Sequence, residues 1–125
     1  MQKEVVMKLV KLSIVSVIIV AALYATDKKV YYEWEVELKP VLIQKVIPEY
    51  PVIAKQKGIE GVVRVEVVIN EKGEVESAKI RQSDNPVFNK PCLDAAYKLK
   101  FRPAEHKGKK VKVKVIIPYT FKLAK

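Results

Sequence analysis

Pro48-Glu49-Tyr50-Pro51, followed by Gly58-Ile59-Glu60-Gly61-Val62-Val63-Arg64-Val65, is the stretch on which the fold turns. Pro51 suits the first helical position, where a missing N–H costs nothing. Val52, Ile53, Ala54 and Lys55 carry a short helix on, and Gly58 supplies a left-handed stop. Tyr50 is a poor N-cap residue, so the stop is better marked than the start. From Gly61 the hydrophobic period switches from helical to two, which is strand.

Working outward, residues 62–70 read as the best strand, with Val63, Val65, Val67 and Ile69 on one face and Arg64 and Glu66 on the other. Asn70-Glu71-Lys72-Gly73 is turn chemistry, with Gly73 suited to the positive φ of a bulged hairpin. Residues 75–82 then form an antiparallel partner. Ser83-Asp84-Asn85-Pro86 breaks the sheet. A helix is expected with Asn89 as N-cap, Pro91 in its first turn, and Phe88 packing on Leu93 as a staple. Cys92, Ala95, Ala96 and Leu99 give its apolar stripe. Phe101-Arg102-Pro103 ends it, because a residue before proline is pushed out of the α region. His106-Lys107-Gly108 reads as a loop. Residues 110–117 form the last strand, with Val111, Val113, Val115 and Ile117 inward and Lys110, Lys112 and Lys114 outward. Pro118 has no N–H to donate, so this strand should keep an open side. Upstream, residues 30–38 alternate: Tyr32, Trp34, Val36 and Leu38 share one face, and Tyr31, Glu33, Glu35 and Glu37 the other, a candidate extra amino-terminal strand. Residues 39–48 read as a connecting stretch. The order αββαβ predicts an α+β fold, an antiparallel three-stranded meander with two helices.

The chain has 125 residues, room for one domain, and a net charge of +10. The charge is uneven: from Lys98 to Lys125 there are ten basic residues and one acidic residue, Glu105. Residues 12–26 form an uncharged run of fifteen behind Lys3, Lys8 and Lys11. This is short for a membrane span, which wants about 20 apolar residues. A cleaved signal with Ala25 at its end fits equally. Either way the lysines stay cytoplasmic and residue 27 onward is exported. The organisation expected is therefore anchor or signal (1–26), short linker with a possible strand (27–47), and folded domain (48–125).

Export speaks against nucleic acid as partner, and no aromatics interleave with the basic strand as stacking platforms. The single Cys92 lies on an apolar helix stripe, where a free cysteine is core. His106 lies in a lysine-rich loop. The two make a poor nucleophile and base, so no enzyme is expected. One His and one Cys cannot build the usual three- or four-ligand metal site, and no cofactor is expected. Trp34, Tyr31 and Tyr32 read as aromatics packed across a sheet.

The ordered set Pro48-Glu49-Tyr50-Pro51, Ala54, Gly58, Gly61-Val62-Val63-Arg64-Val65, Gly73-Glu74-Val75, Phe88, Ala95, Phe101-Arg102-Pro103-Ala104, Gly108-Lys109 and Ile117-Pro118-Tyr119-Thr120-Phe121 resembles the carboxy-terminal domain of TonB-family energy transducers, over about residues 40–123. The resemblance implies a single-pass inner-membrane anchor through residues 9–26 and a periplasmic domain. It implies work with an ExbB–ExbD motor, and a grip on the TonB box of an outer-membrane transporter for siderophore- or cobalamin-type uptake. The box adds as a strand. By position, Glu49, Tyr50 and Pro51 resemble the transporter-contact region, and Lys110, Val111, Lys112, Val113, Lys114, Val115 and Ile117 the receiving strand. The family's domain also intertwines as a homodimer.

Three departures stand out. The anchor carries Ser13 and Ser16 but no His, where the family usually has both, and Leu99 stands near the place of the usual Trp. Residues 27–47 span about 70 Å even fully stretched, short for crossing an envelope. The alternative reading is a soluble periplasmic peptide-binding or scaffold module without a motor. The matched spacing of Glu33, Glu35 and Glu37 with Lys110, Lys112 and Lys114 further suggests that residues 31–37, of the same chain or of a dimer mate, pair with the last strand and cover its edge.

Overall fold

A computed structural model describes residues 29–124. The reading of residues 1–26 as anchor or signal lies outside the described residues. In chain order the elements are β1 (Val30–Tyr32), a 3-10 turn (Glu33–Glu35), β2 (Val41–Gln44), α1 (Val52–Gln56), β3 (Gly61–Ile69) and β4 (Val75–Ser83). A second 3-10 turn (Pro86–Phe88) then runs into α2 (Asn89–Tyr97), followed by β5 (Lys100–Arg102), β6 (Ala104–His106) and β7 (Lys109–Phe121).

β3 is the centre of the main sheet. Val63, Val65, Val67 and Ile69 are fully buried on one face, as their period of two requires. They join Ala54 of α1, Cys92, Ala95 and Ala96 of α2, and Val113, Val115, Tyr119 and Phe121 of β7 in one core. The fold is α+β, as expected. Its strand order is β1-β7-β3-β4, with β6 paired to β7 and β2 paired to β5 in a separate ribbon. The three long strands are therefore not a meander. After β4 the chain crosses through α2, which packs on β3 and β4, and delivers β7 to the opposite side of β3.

Local chemistry explains the boundaries. Pro51 caps α1 with extended backbone (ψ 137°) and stands one residue before the helix rather than at its first position. Its carbonyl accepts from Lys55 N at 3.1 Å. Gly58 (φ 67°) ends the turn. At the β3–β4 turn Asn70 Oδ1 accepts from the N–H groups of Lys72 and Glu74, both at 3.0 Å. Gly73 (φ 81°) closes that turn so near to Phe101 that a Cβ there would lie 1.8 Å from the Phe101 carbonyl oxygen. Asn89 is the first residue of α2 and not its cap. The capping side chain is Asn85, whose Oδ1 accepts from Val87 N at 3.0 Å and starts the 3-10 turn that feeds the helix. Phe88 stacks across the core on Phe121, with ring centroids 4.1 Å apart, a longer-range role than the local staple expected.

Three further expectations are corrected. Residues 30–38 are a strand only over β1, because Glu35 Oε2 accepts from Tyr32 N at 2.8 Å and turns the backbone. The connecting stretch 39–48 contains β2, which pairs antiparallel with β5. The loop at His106 is the end of β6, joined to β7 by a two-residue turn with both Lys107 (φ 53°) and Gly108 (φ 75°) left-handed, as in a type I′ hairpin.

Candidate strand-addition edge

β7 is the longest strand, and its two sides are used differently. Residues 113–121 pair antiparallel with β3, from Ile69↔Val113 to Gly61↔Phe121. Residues 109–111 pair with β6. β1 lies parallel to residues 112–114, with Val30↔Lys112, Tyr31↔Val113 and Tyr32↔Lys114. Along 115–121, no strand among the described residues pairs with β7 on the side away from β3. Pro118 falls in this stretch, where a missing N–H breaks no ladder between strands of the protein itself.

The expected receiving residues thus divide. Lys110 and Val111 are engaged with β6, and Lys112, Val113 and Lys114 with β1. Only Val115 and Ile117 belong to the open stretch. Alternation alone did not single out Ile116, which is 43% exposed on the outer face. Strand addition uses the backbone N–H and C=O groups that face away from β3, which belong to alternate residues of 115–121, so side-chain direction alone does not define the site.

β1 does cover part of the edge, within the same chain, but not through a charge ladder. Glu33 and Glu35 sit in the 3-10 turn. Lys112 Nζ instead meets Glu76 Oε1 of β4 at 2.7 Å. Lys114 Nζ lies 5.6 Å from the centroid of the Tyr32 ring, a cation–π contact. Tyr32 in turn stacks on Trp34 at 4.6 Å, and Trp34 is 77% exposed. Tyr31 meets the His106 ring at 5.2 Å. Tyr31 packs, as expected, whereas Tyr32 and Trp34 form an exposed aromatic step beside the edge.

On the outer face, Glu66 is only 7% exposed. Lys79 Nζ lies 3.0 Å and Arg81 3.4 Å from its carboxylate. The Lys79 hydrogen bond, with Lys114 and Arg81 adding their charge against the cost of burial, holds its pKa below the ordinary carboxylate value.

Glu49, Tyr50 and Pro51 sit at the other end of β7. Tyr50 is structural: its ring meets Phe88 and Phe121 edge-on at 5.7 and 5.4 Å, and its hydroxyl donates to the Ile59 carbonyl. Burial, with help from Glu60, raises its pKa. Exposed Glu49 and half-buried Pro51 line a groove of about 450 Å³ with Ile47, with Lys90 and Asp94 of α2, and with Lys98 just beyond that helix. The structure therefore does not join the two groups of expected contacts into one patch. β7 runs between them.

Cys92 is fully buried, and burial pushes its thiol up to about 11. Burial first, then Cys92, pushes Tyr119 up to about 12. A protonated thiol without access to solvent is no nucleophile. Among the described residues no group of His, Cys, Asp and Glu side chains can hold a metal ion. No described helix is long and apolar enough to cross a membrane.

The sequence profile of the family described as Gram-negative bacterial TonB protein C-terminal matches residues 46–123. Protein TonB of Vibrio cholerae is 33% identical over 87 residues, which cover 68% of this chain and 36% of that protein. The chain thus spans about a third of the length of that curated relative. The solution NMR structure of the Pseudomonas aeruginosa TonB CTD superposes with a TM-score of 0.59 at 28% identity, over 69% of this chain and 88% of that one. Domains of this kind transduce and bind, and are not enzymes. With an αββαβ core around β3 and a profile match over most of the described residues, the chain belongs to the TonB carboxy-terminal domain family.

Proposed function

We propose that the domain receives an extended segment of an outer-membrane transporter as an added strand on β7, along 115–121, and passes force to it from the inner membrane for siderophore- or cobalamin-type uptake. The observation that carries this reading is the side of β7 beyond residue 114 that no strand among the described residues pairs with, in a domain of a family associated with such transporters. Main-chain hydrogen bonds would supply the affinity. Exposed Ile116 and the Tyr32–Trp34 step offer apolar contacts beside the incoming strand. Glu49 and Pro51, with the groove against α2, would hold a second part of the transporter. Coupling to an ExbB–ExbD-type motor through residues 9–26 belongs to the same reading, as does pairing of two copies through β7.

The test is a titration of the isotope-labelled full-length chain in a neutral detergent with a synthetic TonB-box peptide. Amide shifts concentrated at 115–121 support the reading. Shifts confined to other strands, or none at millimolar peptide, overturn it.

The second reading, a soluble periplasmic module without a motor, is favoured by the lack of a histidine in residues 12–26. Intact mass separates the two. Full-length protein held in the membrane supports the transducer, and a soluble species beginning near Thr26 supports the module.

A further inference from the structure

A basin of about 620 Å³ lies where the start of β1, the β3–β4 turn and the β6–β7 hairpin meet. Lys29, Lys107, Lys109, Lys110 and Lys112 line it, with His106 at the wall. Glu71 is the one carboxylate in the lining. Lys112 is engaged with Glu76, and Lys29 lies over the Tyr31 ring at 4.4 Å. Lys107, Lys109 and Lys110 stand exposed.

Protection of an open strand edge does not account for this cluster. Lys109 and Lys110 pair with His106 and Glu105 of β6, and Lys107 lies in the hairpin turn outside any strand, so the cluster is not confined to an unpaired strand. Lys107 is the only non-glycine residue with positive φ among those described, at a turn position where Asn or Gly would fit without strain. The chain thus accepts backbone strain at a lysine here, and such strain collects at functional sites. The lining contains no arginine. Lysine is a compact, strongly hydrated point charge that binds phosphate oxygens without needing a planar partner.

We propose that this basin binds the phosphate of an anionic lipid headgroup at the membrane from which the chain emerges. Lys29 stands three residues beyond the uncharged run 12–26, within about 10 Å of its end at full extension. A basic cluster so placed against a membrane attracts anionic lipid. The proposal rests on residues 12–26 being an anchor, and is independent of how the transporter is held.

The test is lysine-acylation footprinting of the full-length chain in nanodiscs of neutral phosphatidylcholine, with and without anionic phosphatidylglycerol. The anionic lipid should slow labelling of Lys107, Lys109 and Lys110 by about fivefold, while Lys55 and Lys57 on the α1 side stay unchanged. Lys107→Asn should reduce the protection of Lys109 and Lys110 while raising the unfolding temperature, a combination that a purely structural role for Lys107 would not give. Lys109→Gln should reduce protection at Lys107 and Lys110 and keeps the test valid if the hairpin variant misfolds. Equal protection of all lysines, or none, overturns the site. Protection by added inorganic phosphate in neutral discs, without any by anionic lipid, overturns the lipid as occupant. A chain that does not stay with neutral discs has no membrane beside Lys29 and also overturns the proposal.

Discussion

Gly73 carries two demands at once, a left-handed backbone and contact with the Phe101 carbonyl. Gly73→Ala is therefore expected to cost about 3 kcal/mol or more, the sum of αL strain and a clash with backbone that cannot move alone. Gly58 has the same kind of φ but open space around it. Gly58→Ala should cost only about 1 kcal/mol. Urea midpoints of the two variants would show the difference, and equal values would refute the contact at Phe101. Glu66 sets an acid dependence. Its native pKa lies below the ordinary value of 4.5, so its stabilising contribution is complete above that value. The contribution is lost as pH falls through the depressed native pKa. Glu66→Gln should flatten the fall in stability between pH 5 and pH 3, to roughly the extent of one partly screened ion pair, about 1 kcal/mol. The buried Cys92 thiol should react with a thiol reagent only on unfolding, seen as labelling that tracks the urea transition.

At the scale of elements, β1 is the unusual piece: three residues that occupy 112–114 and leave 115–121 free. Tyr31→Pro removes its central N–H and should detach it. The TonB-box peptide is then expected to bind several-fold more tightly, with amide shifts spreading from 115–121 into 112–114. Reversing Glu33 to lysine should leave affinity nearly unchanged, because it sits in the 3-10 turn and not on a strand beside β7. Long elements were legible in the sequence because burial imposes a period: β3, α2 and β7 each show it, whereas β4, with no fully buried residue, was legible from the Asn70–Gly73 turn before it. β2 was not, since all four of its residues are exposed and no face alternates. β5 and β6, at three residues each, are too short to carry a period at all. Tyr32-Glu33-Trp34-Glu35 alternates like a strand, yet the Glu35 carboxylate takes the Tyr32 N–H and wins locally. The side of β3 on which β7 lands depends on the crossover through α2, which no local pattern encodes.

For the whole molecule, Trp34 provides the reporter. It is the chain's single tryptophan, exposed on the step beside Lys114. A strand added along β7 that reaches this step should shift its emission to the blue. Trp34→Ala should weaken peptide binding by about 1 kcal/mol, the scale of an aromatic contact. The family and the fold class were readable from ordered spacings, but the geometry of the site was only half readable. That β7 had an open side followed from Pro118, whereas its division into covered and free lengths depends on where residues 30 and 104 return in space.

The parallel course of β1 beside β7 also has a mechanical meaning. The chain reaches β1 from the residue-112 end, while the free stretch lies farther along in the opposite direction. A pull on the amino-terminal side, resisted by something gripping 115–121, would run lengthwise through the strands. Such a load shears the hydrogen bonds together and does not unzip them one after another. A coupling of this shape withstands brief tension that a peeled hairpin would not.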